Sequence, residues 1–156
     1  MKTMKKILFI ISLFVITFSN AQSSQKEKKG FCIILSTTSY AEAKRVAKEA
    51  TAKLDINTDY RSLIANKLIG LTSPKQDCLD MEVPFPCYKA RGVDANEMQD
   101  DGDYISIEYS NKYKGFAKGY YIVVISSGDI NNKEPIFLKA KKFYKSAYIK
   151  YAVVNY

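Results

Sequence analysis

The chain has 156 residues, 47% of them hydrophobic and 26% charged, with 24 basic side chains against 16 acidic ones and no histidine. That length and apolar content suit one compact domain and are too apolar for global disorder. Histidine-dependent triads, acid–base pairs and metal sites are excluded outright, and the lack of Trp with only 7 Gly excludes collagen-like character.

The first segment reads as a targeting signal. Met1–Lys6 is basic, Ile7–Phe18 is almost wholly apolar, and Ser19-Asn20-Ala21 supplies small residues for a signal peptidase, so cleavage before Gln22 is expected. The apolar run is short for a bilayer span, so no stable membrane insertion is expected once it is removed. No cysteine follows the cleavage site, which argues against a lipoprotein. Removal of Lys2, Lys5 and Lys6 lowers the net charge from +8 to +5. The expected location is the periplasm or the extracellular space, and the moderate positive charge favours anionic envelope polymers. No Lys/Arg run is dense enough for a nucleic-acid arm.

Export places Cys32, Cys78 and Cys87 in an oxidising setting. Cys78 and Cys87 flank Val83-Pro84-Phe85-Pro86, which bends the chain, and a bridge between them is expected. Cys32 lies inside the apolar run Phe31–Leu35 and reads as a buried thiol.

Gln22–Gly30 is polar and reads as a flexible leader before a domain over residues 31–156. Phe31–Leu35 fits a strand buried on both faces. Ser39 and Glu42 form an S-x-x-E capping box, and Ala43, Val46, Ala47, Ala50 and Leu54 make one apolar stripe, which predicts a helix from Ala41 to about Leu54. A strand near Tyr60–Ala65 would close a β-α-β unit. Thr72–Asp103 reads as a long irregular insert with three of the four prolines and an acidic cluster.

Tyr104–Tyr109 alternates as a strand with one face buried and one wet. Ser110–Gly119 follows as a hairpin-like connection. Tyr120–Ile125 is apolar on both faces and therefore central. Pro135 suits a first helical position, and Ile136 to about Ser146 reads as a helix with Phe137, Ala140, Phe143, Tyr144 and Ala147 inward. Tyr148–Tyr156 ends the chain as a strand. The fold class is α+β, in the order β-α-β, insert, β-β-α-β.

Phe31-Cys-Ile-Ile-Leu-Ser-Thr-Thr-Ser-Tyr-Ala-Glu-Ala43 resembles the strand, serine turn and A-E-A helix start of the SPOR (sporulation-related repeat) domain, and Tyr121–Ser127 resembles the same strand and turn again. The resemblance implies a ferredoxin-like, two-layer β-α-β-β-α-β sandwich carrying the insert. It also implies a cell-wall module that binds glycan strands of peptidoglycan on an exposed sheet face. The family's glutamine and glycine are not present at Ile34–Ser36.

Sugar binding needs flat aromatic faces beside groups that take sugar hydroxyls. Tyr104, Ser106 and Glu108 on the wet side of one strand, with Tyr113 and Lys118 nearby, offer that set. Tyrosines also populate half-buried strand positions without any ligand. In the insert, Asp94, Asn96, Asp100, Asp101 and Asp103 hold oxygens suited to calcium, although the spacing is not that of an EF-hand. A pair such as Asp103 and Glu108 suits glycosidase chemistry, and solvated loop charge is the simplest reading of the whole cluster. Cys32 has no histidine to activate it as a nucleophile. No Gly-rich phosphate loop or other cofactor motif appears. A non-catalytic glycan-binding module leads, with a small carboxylate-dependent hydrolase and a protein-interaction module as the alternatives.

Overall fold

The structure, a computed structural model, describes residues 28–92 and 101–154. The chain enters as strand β1 (Lys29–Thr37), whose apolar centre is buried from Phe31 to Ile34. Lys29 and Gly30 thus belong to the strand and not to a leader. Helix α1 (Tyr40–Leu54) follows, with Ser39 Oγ accepting from the Glu42 backbone N–H at 3.3 Å. That bond satisfies one of the donors orphaned at a helix start. The expected stripe, Ala43, Val46, Ala47, Ala50 and Leu54, is the buried one. Its small alanines let α1 lie close over the sheet.

The chain continues through β2 (Ile64–Asn66), β3 (Gly70–Thr72), α2 (Lys75–Asp80), β4 (Gly102–Tyr109), a 3-10 turn over Ser110–Lys112, β5 (Tyr113–Lys114), β6 (Tyr121–Gly128), α3 (Pro135–Phe143) and β7 (Tyr148–Val154). Five strands form one antiparallel sheet in the order β4-β6-β1-β7-β5, and β2 and β3 form a separate two-stranded sheet. The molecule is α+β. Val123 and Val124 of β6, between β4 and β1, are fully buried, as expected of a central strand.

The strand expected at Tyr60–Ala65 does not join the main sheet. Arg61 and Ser62 have left-handed φ (47° and 53°), which breaks the expected extended run in its middle. The sheet edge is met instead by Asn57–Asp59: the Ile105 N–H donates to Asn57 O at 2.8 Å and the Asp59 N–H to Ile105 O at 2.9 Å. The β2–β3 hairpin then turns back against the end of β4. Gly70, at φ 82°, stands so close to Tyr109 that an added Cβ would lie 2.2 Å from its ring.

Cross-strand register assigns the two sheet faces. Ile107 pairs with Val123 and Leu35 with Val123, on the face that α1 covers. Ser106 pairs with Val124, Glu108 with Ile122 and Ser36 with Ile122, on the opposite face. Lys150 pairs with Phe31, which meets Tyr113 and Phe116 edge-on at 4.9 and 6.4 Å between ring centroids. This second face was expected to be wet, but Ser106 and Glu108 are fully buried. Tyr88 and Arg91 of the insert, with Arg61 and Tyr113, lie over it at Ser106 and Glu108, so the insert covers this face at β4.

The insert is also less irregular than its prolines suggest. It contains α2 and the expected Cys78–Cys87 disulfide, and the Ser73 N–H donates to Cys87 O at 2.8 Å. In α3, Ile136 and Ala140 are buried, whereas Phe143 is 48% exposed, contrary to the expected inward set. The helix ends at Phe143, short of Ser146, because Tyr144 leaves helical geometry at φ −120°. The signal segment, residues 22–27 of the leader, Asp94, Glu97, Asp100 and Tyr156 lie outside the described residues.

Candidate functional site

Of the five residues expected to make a glycan-binding row, three are sealed. Ser106, Glu108 and Tyr113 have essentially no solvent exposure. Tyr104 is half-buried, with its ring 3.5 Å from the Arg91 guanidinium carbon. Lys118 is exposed and closes its own loop, donating to Asn111 O at 3.1 Å. The alternation of β4 gives the right face, but a wet face was the wrong inference. Polar residues on a strand are also tolerated in the interior when buried partners satisfy them.

Those partners come from the insert. Glu108 is 0% exposed and forms an ion pair with Arg61. Its Oε2 accepts from the Tyr88 hydroxyl, from the Tyr113 hydroxyl at 3.0 Å and from the Arg91 backbone N–H at 3.1 Å. Burial alone pushes a carboxyl upward, but the Arg61 guanidinium and these donors outweigh it and hold Glu108 below its ordinary value. Burial and the adjacent carboxylate push the Tyr88 and Tyr113 phenols well above theirs. Burial opposes the charge on Arg61, and Glu108 more than restores it.

Arg91 is buried beside this group, and among the described residues its side chain donates to hydroxyl and carbonyl oxygens. Nε donates to Ser127 Oγ at 2.8 Å, Nη1 to Tyr104 O at 2.8 Å and Ser106 Oγ at 3.2 Å, and Nη2 to Gly102 O at 2.6 Å. Asp101 accepts from Ser127 Oγ at 3.1 Å and pairs with Lys29 at 2.7 Å. The planar fork of arginine suits such a set of fixed acceptors, where lysine would not.

The acidic cluster is therefore divided. Asp101 is engaged by Lys29 and Ser127, Asp103 is exposed at the start of β4, and Asp94, Asn96, Glu97 and Asp100 lie outside the described residues. Among the described residues no group of three or more acidic or cysteine side chains converges to hold a metal. Of the Asp103 and Glu108 pair in the hydrolase reading, Glu108 is completely buried while Asp103 is exposed. Cys32 is a buried thiol, pushed up to about 12 first by burial and then by Asp103.

One part of the second face stays open. Beyond the insert, Ser36, Phe116, Tyr120, Tyr148 and Lys150 line a shallow solvent-facing cleft of about 150 Å³ over Ile122. Tyr120 and Tyr148 are each 38% exposed. The Tyr148 and Ser36 hydroxyls lie 3.0 Å apart, and the Lys150 ammonium stands 5.2 Å from the centre of the Phe116 ring. Register places these groups together: Ser36 opposes Ile122, and Lys150 lies two residues beyond Tyr148 on the same face of β7. The cleft offers aromatic surface, two hydroxyls and an ammonium, and it takes one side of a ligand without enclosing it. In the sequence, Tyr120 and Tyr148 stand out only as the first residues of two expected strands.

No family model, curated protein or solved structure matches the chain.

Proposed function

We propose that the protein is an exported, non-catalytic binding module of the cell envelope that holds the glycan strand of peptidoglycan against the open end of its sheet. The observation that carries this reading is the cleft between Tyr120 and Tyr148, where aromatic surface sits beside the Ser36 hydroxyl and the Lys150 ammonium. A sugar ring places its C–H face on an aromatic side chain while its hydroxyls bond to such groups. The wall glycan arrives as a long strand, so a shallow open cleft suits it better than a closed pocket.

The topology supports the SPOR-like resemblance. Strands β7-β1-β6-β4, with α1 after β1 and α3 after β6, follow the order of a ferredoxin-like sheet. The cleft lies on the sheet face that the resemblance assigns to glycan, at the end that the insert does not cover. The basic, apolar and small-residue pattern of Met1–Ala21 supports export to the periplasm or beyond, and a disulfide accords with an oxidising compartment. A mature charge of +5 adds loose attraction to anionic envelope polymers.

The test is retention of Gln22–Tyr156 on purified peptidoglycan sacculi at low and high salt, with Tyr120→Ala/Tyr148→Ala as the comparison. Wild type should stay bound at high salt, and the double variant should bind about tenfold or more weakly with an unchanged melting point. Retention only at low salt would assign binding to net charge and reject the cleft.

A further inference from the structure

The exposed aromatic surface continues past the cleft at Tyr120 and Tyr148. Tyr148 also lines a second open cavity, of about 430 Å³, together with Asn132, Phe137 of α3, and Ile149 and Tyr151 of β7. Strand alternation separates the two: Tyr148 and Lys150 project to the face of the first cleft, Ile149 and Tyr151 to the other. Between them lies the outer edge of β7. β1 pairs along the inner side of Tyr148–Ala152, while β5 reaches only Val153 and Val154 on the outer side. Among the described residues no strand covers that edge from Tyr148 to Ala152, so the two cavities meet over open backbone.

The second cavity suits the same kind of ligand. Tyr151 is 51% exposed, yet its hydroxyl donates to Ile130 O at 2.7 Å, which fixes the ring before any ligand arrives. Lys141 holds Ala147 in place, donating to its carbonyl at 2.9 Å. Asn131 braces the loop, accepting from the Lys133 N–H at 2.9 Å and donating to Glu134 at 3.2 Å. Asn132 is exposed and makes no side-chain hydrogen bond among the described residues, so its amide offers a donor and an acceptor to sugar hydroxyls. A second copy of the chain suits this edge less well, because antiparallel pairing centred on Lys150 would set two ammonium groups opposite each other. Crossing from β6 over β1 to the outside of β7 covers two strand spacings, about 10 Å, so no single sugar reaches both cavities. We propose that Asn132, Phe137 and Tyr151 form a second sugar subsite, and that one glycan strand runs from the first cleft over the edge of β7 into it. This inference rests on the glycan reading of the first cleft and adds to it the direction and length of the bound strand.

The test is calorimetric titration of Gln22–Tyr156 with peptide-free glycan fragments of peptidoglycan, two and six sugars long, at low and high salt, with NMR shift mapping. The hexasaccharide should bind at one per chain, about tenfold or more tightly than the disaccharide at either salt, and should move Asn132 and Tyr151 as well as Tyr120 and Tyr148. Tyr151→Ala should remove most of that gain and leave disaccharide affinity at the first cleft unchanged. Asn132→Ala, at an exposed loop position, should keep the melting point and weaken the hexasaccharide about threefold. Equal affinity for the two fragments, with shifts at Tyr120 and Tyr148 alone, overturns the second subsite and leaves the first cleft standing. A length gain that vanishes at high salt overturns it in favour of net charge. Binding of neither fragment overturns both readings. A dimer that Tyr151→Ala dissociates, with no length gain, overturns the subsite in favour of a second copy of the chain.

Discussion

Arg61 and Glu108, 47 residues apart in the chain, meet as an ion pair in which the carboxylate is completely buried. The pair joins the segment after α1 to the second strand of the main sheet, and the polar face of β4 lies dry beneath it. Arg61 also donates to Lys89 O at 2.9 Å, so one guanidinium ties the sheet to the insert. Removing one member of a buried pair leaves the other charged and unsolvated, at about 3–5 kcal/mol. Glu108→Gln should therefore destabilise the protein by about that amount in urea unfolding. Arg61→Lys keeps the charge and loses the fork, and should cost about 1–2 kcal/mol. A loss under about 1 kcal/mol for Glu108→Gln would mean that the pair is solvated.

The same network gives stability a pH dependence on both sides. Glu108 is held below its ordinary carboxyl value in the folded state, so its contribution is complete above that value and is lost as pH falls through the folded one. Tyr88 and Tyr113 are raised well above 10, so their contribution is complete below about 10 and is lost as pH rises beyond it. Melting temperature should be level between about pH 5 and 9 as far as these groups determine it, and fall outside that window. The acid-side fall should be shallower in Glu108→Gln, since the titrating group is gone; equal slopes in both proteins would assign it to other carboxylates.

Gly70 is required by two constraints at once. Its φ is 82°, and a Cβ would stand 2.2 Å from the Tyr109 ring. Tyr121, whose ring packs tilted against Tyr109 at 5.1 Å between centroids, donates its hydroxyl to Gly70 O at 3.1 Å. Gly70→Ala adds left-handed strain and a clash, and should cost about 2–4 kcal/mol in chemical denaturation. Wild-type stability in that variant would show that the β2–β3 hairpin does not dock on β4.

The Cys78–Cys87 bridge closes a short loop and should contribute about 2–3 kcal/mol. Thiol titration of the denatured, non-reduced chain should find one group, Cys32, and reduction should raise that to three. In the native protein Cys32 should stay unreactive, because burial keeps the thiol neutral and out of reach. Three reactive thiols without reduction would remove the bridge.

The elements that sequence revealed are those whose instructions are local. Ser39, Glu42 and the alanine stripe define α1 without reference to the rest of the chain, and the apolar run of β6 requires a central place. The cover over β4 is different. It depends on Arg61, Tyr88 and Arg91 reaching across tens of residues, which no short periodicity records. A trace was present: the chain has 21 Lys and only three Arg, and two of those three, Arg61 and Arg91, serve the buried network. A Glu in the middle of a strand reads as wet until its partners are known, which is why the alternation of β4 points Ser106 and Glu108 to solvent. The cleft is not legible in the sequence because Ser36, Tyr120 and Tyr148 lie on three different strands or their ends and meet only through register.

The most direct test of the account is an NMR titration of Gln22–Tyr156 with a soluble peptidoglycan glycan fragment. The account predicts saturable shifts clustered at Ser36, Phe116, Tyr120, Tyr148 and Lys150, with the Glu108 network unmoved. Shifts confined to the α1 and α3 surfaces, or none at concentrations where intact sacculi retain the protein, would contradict it.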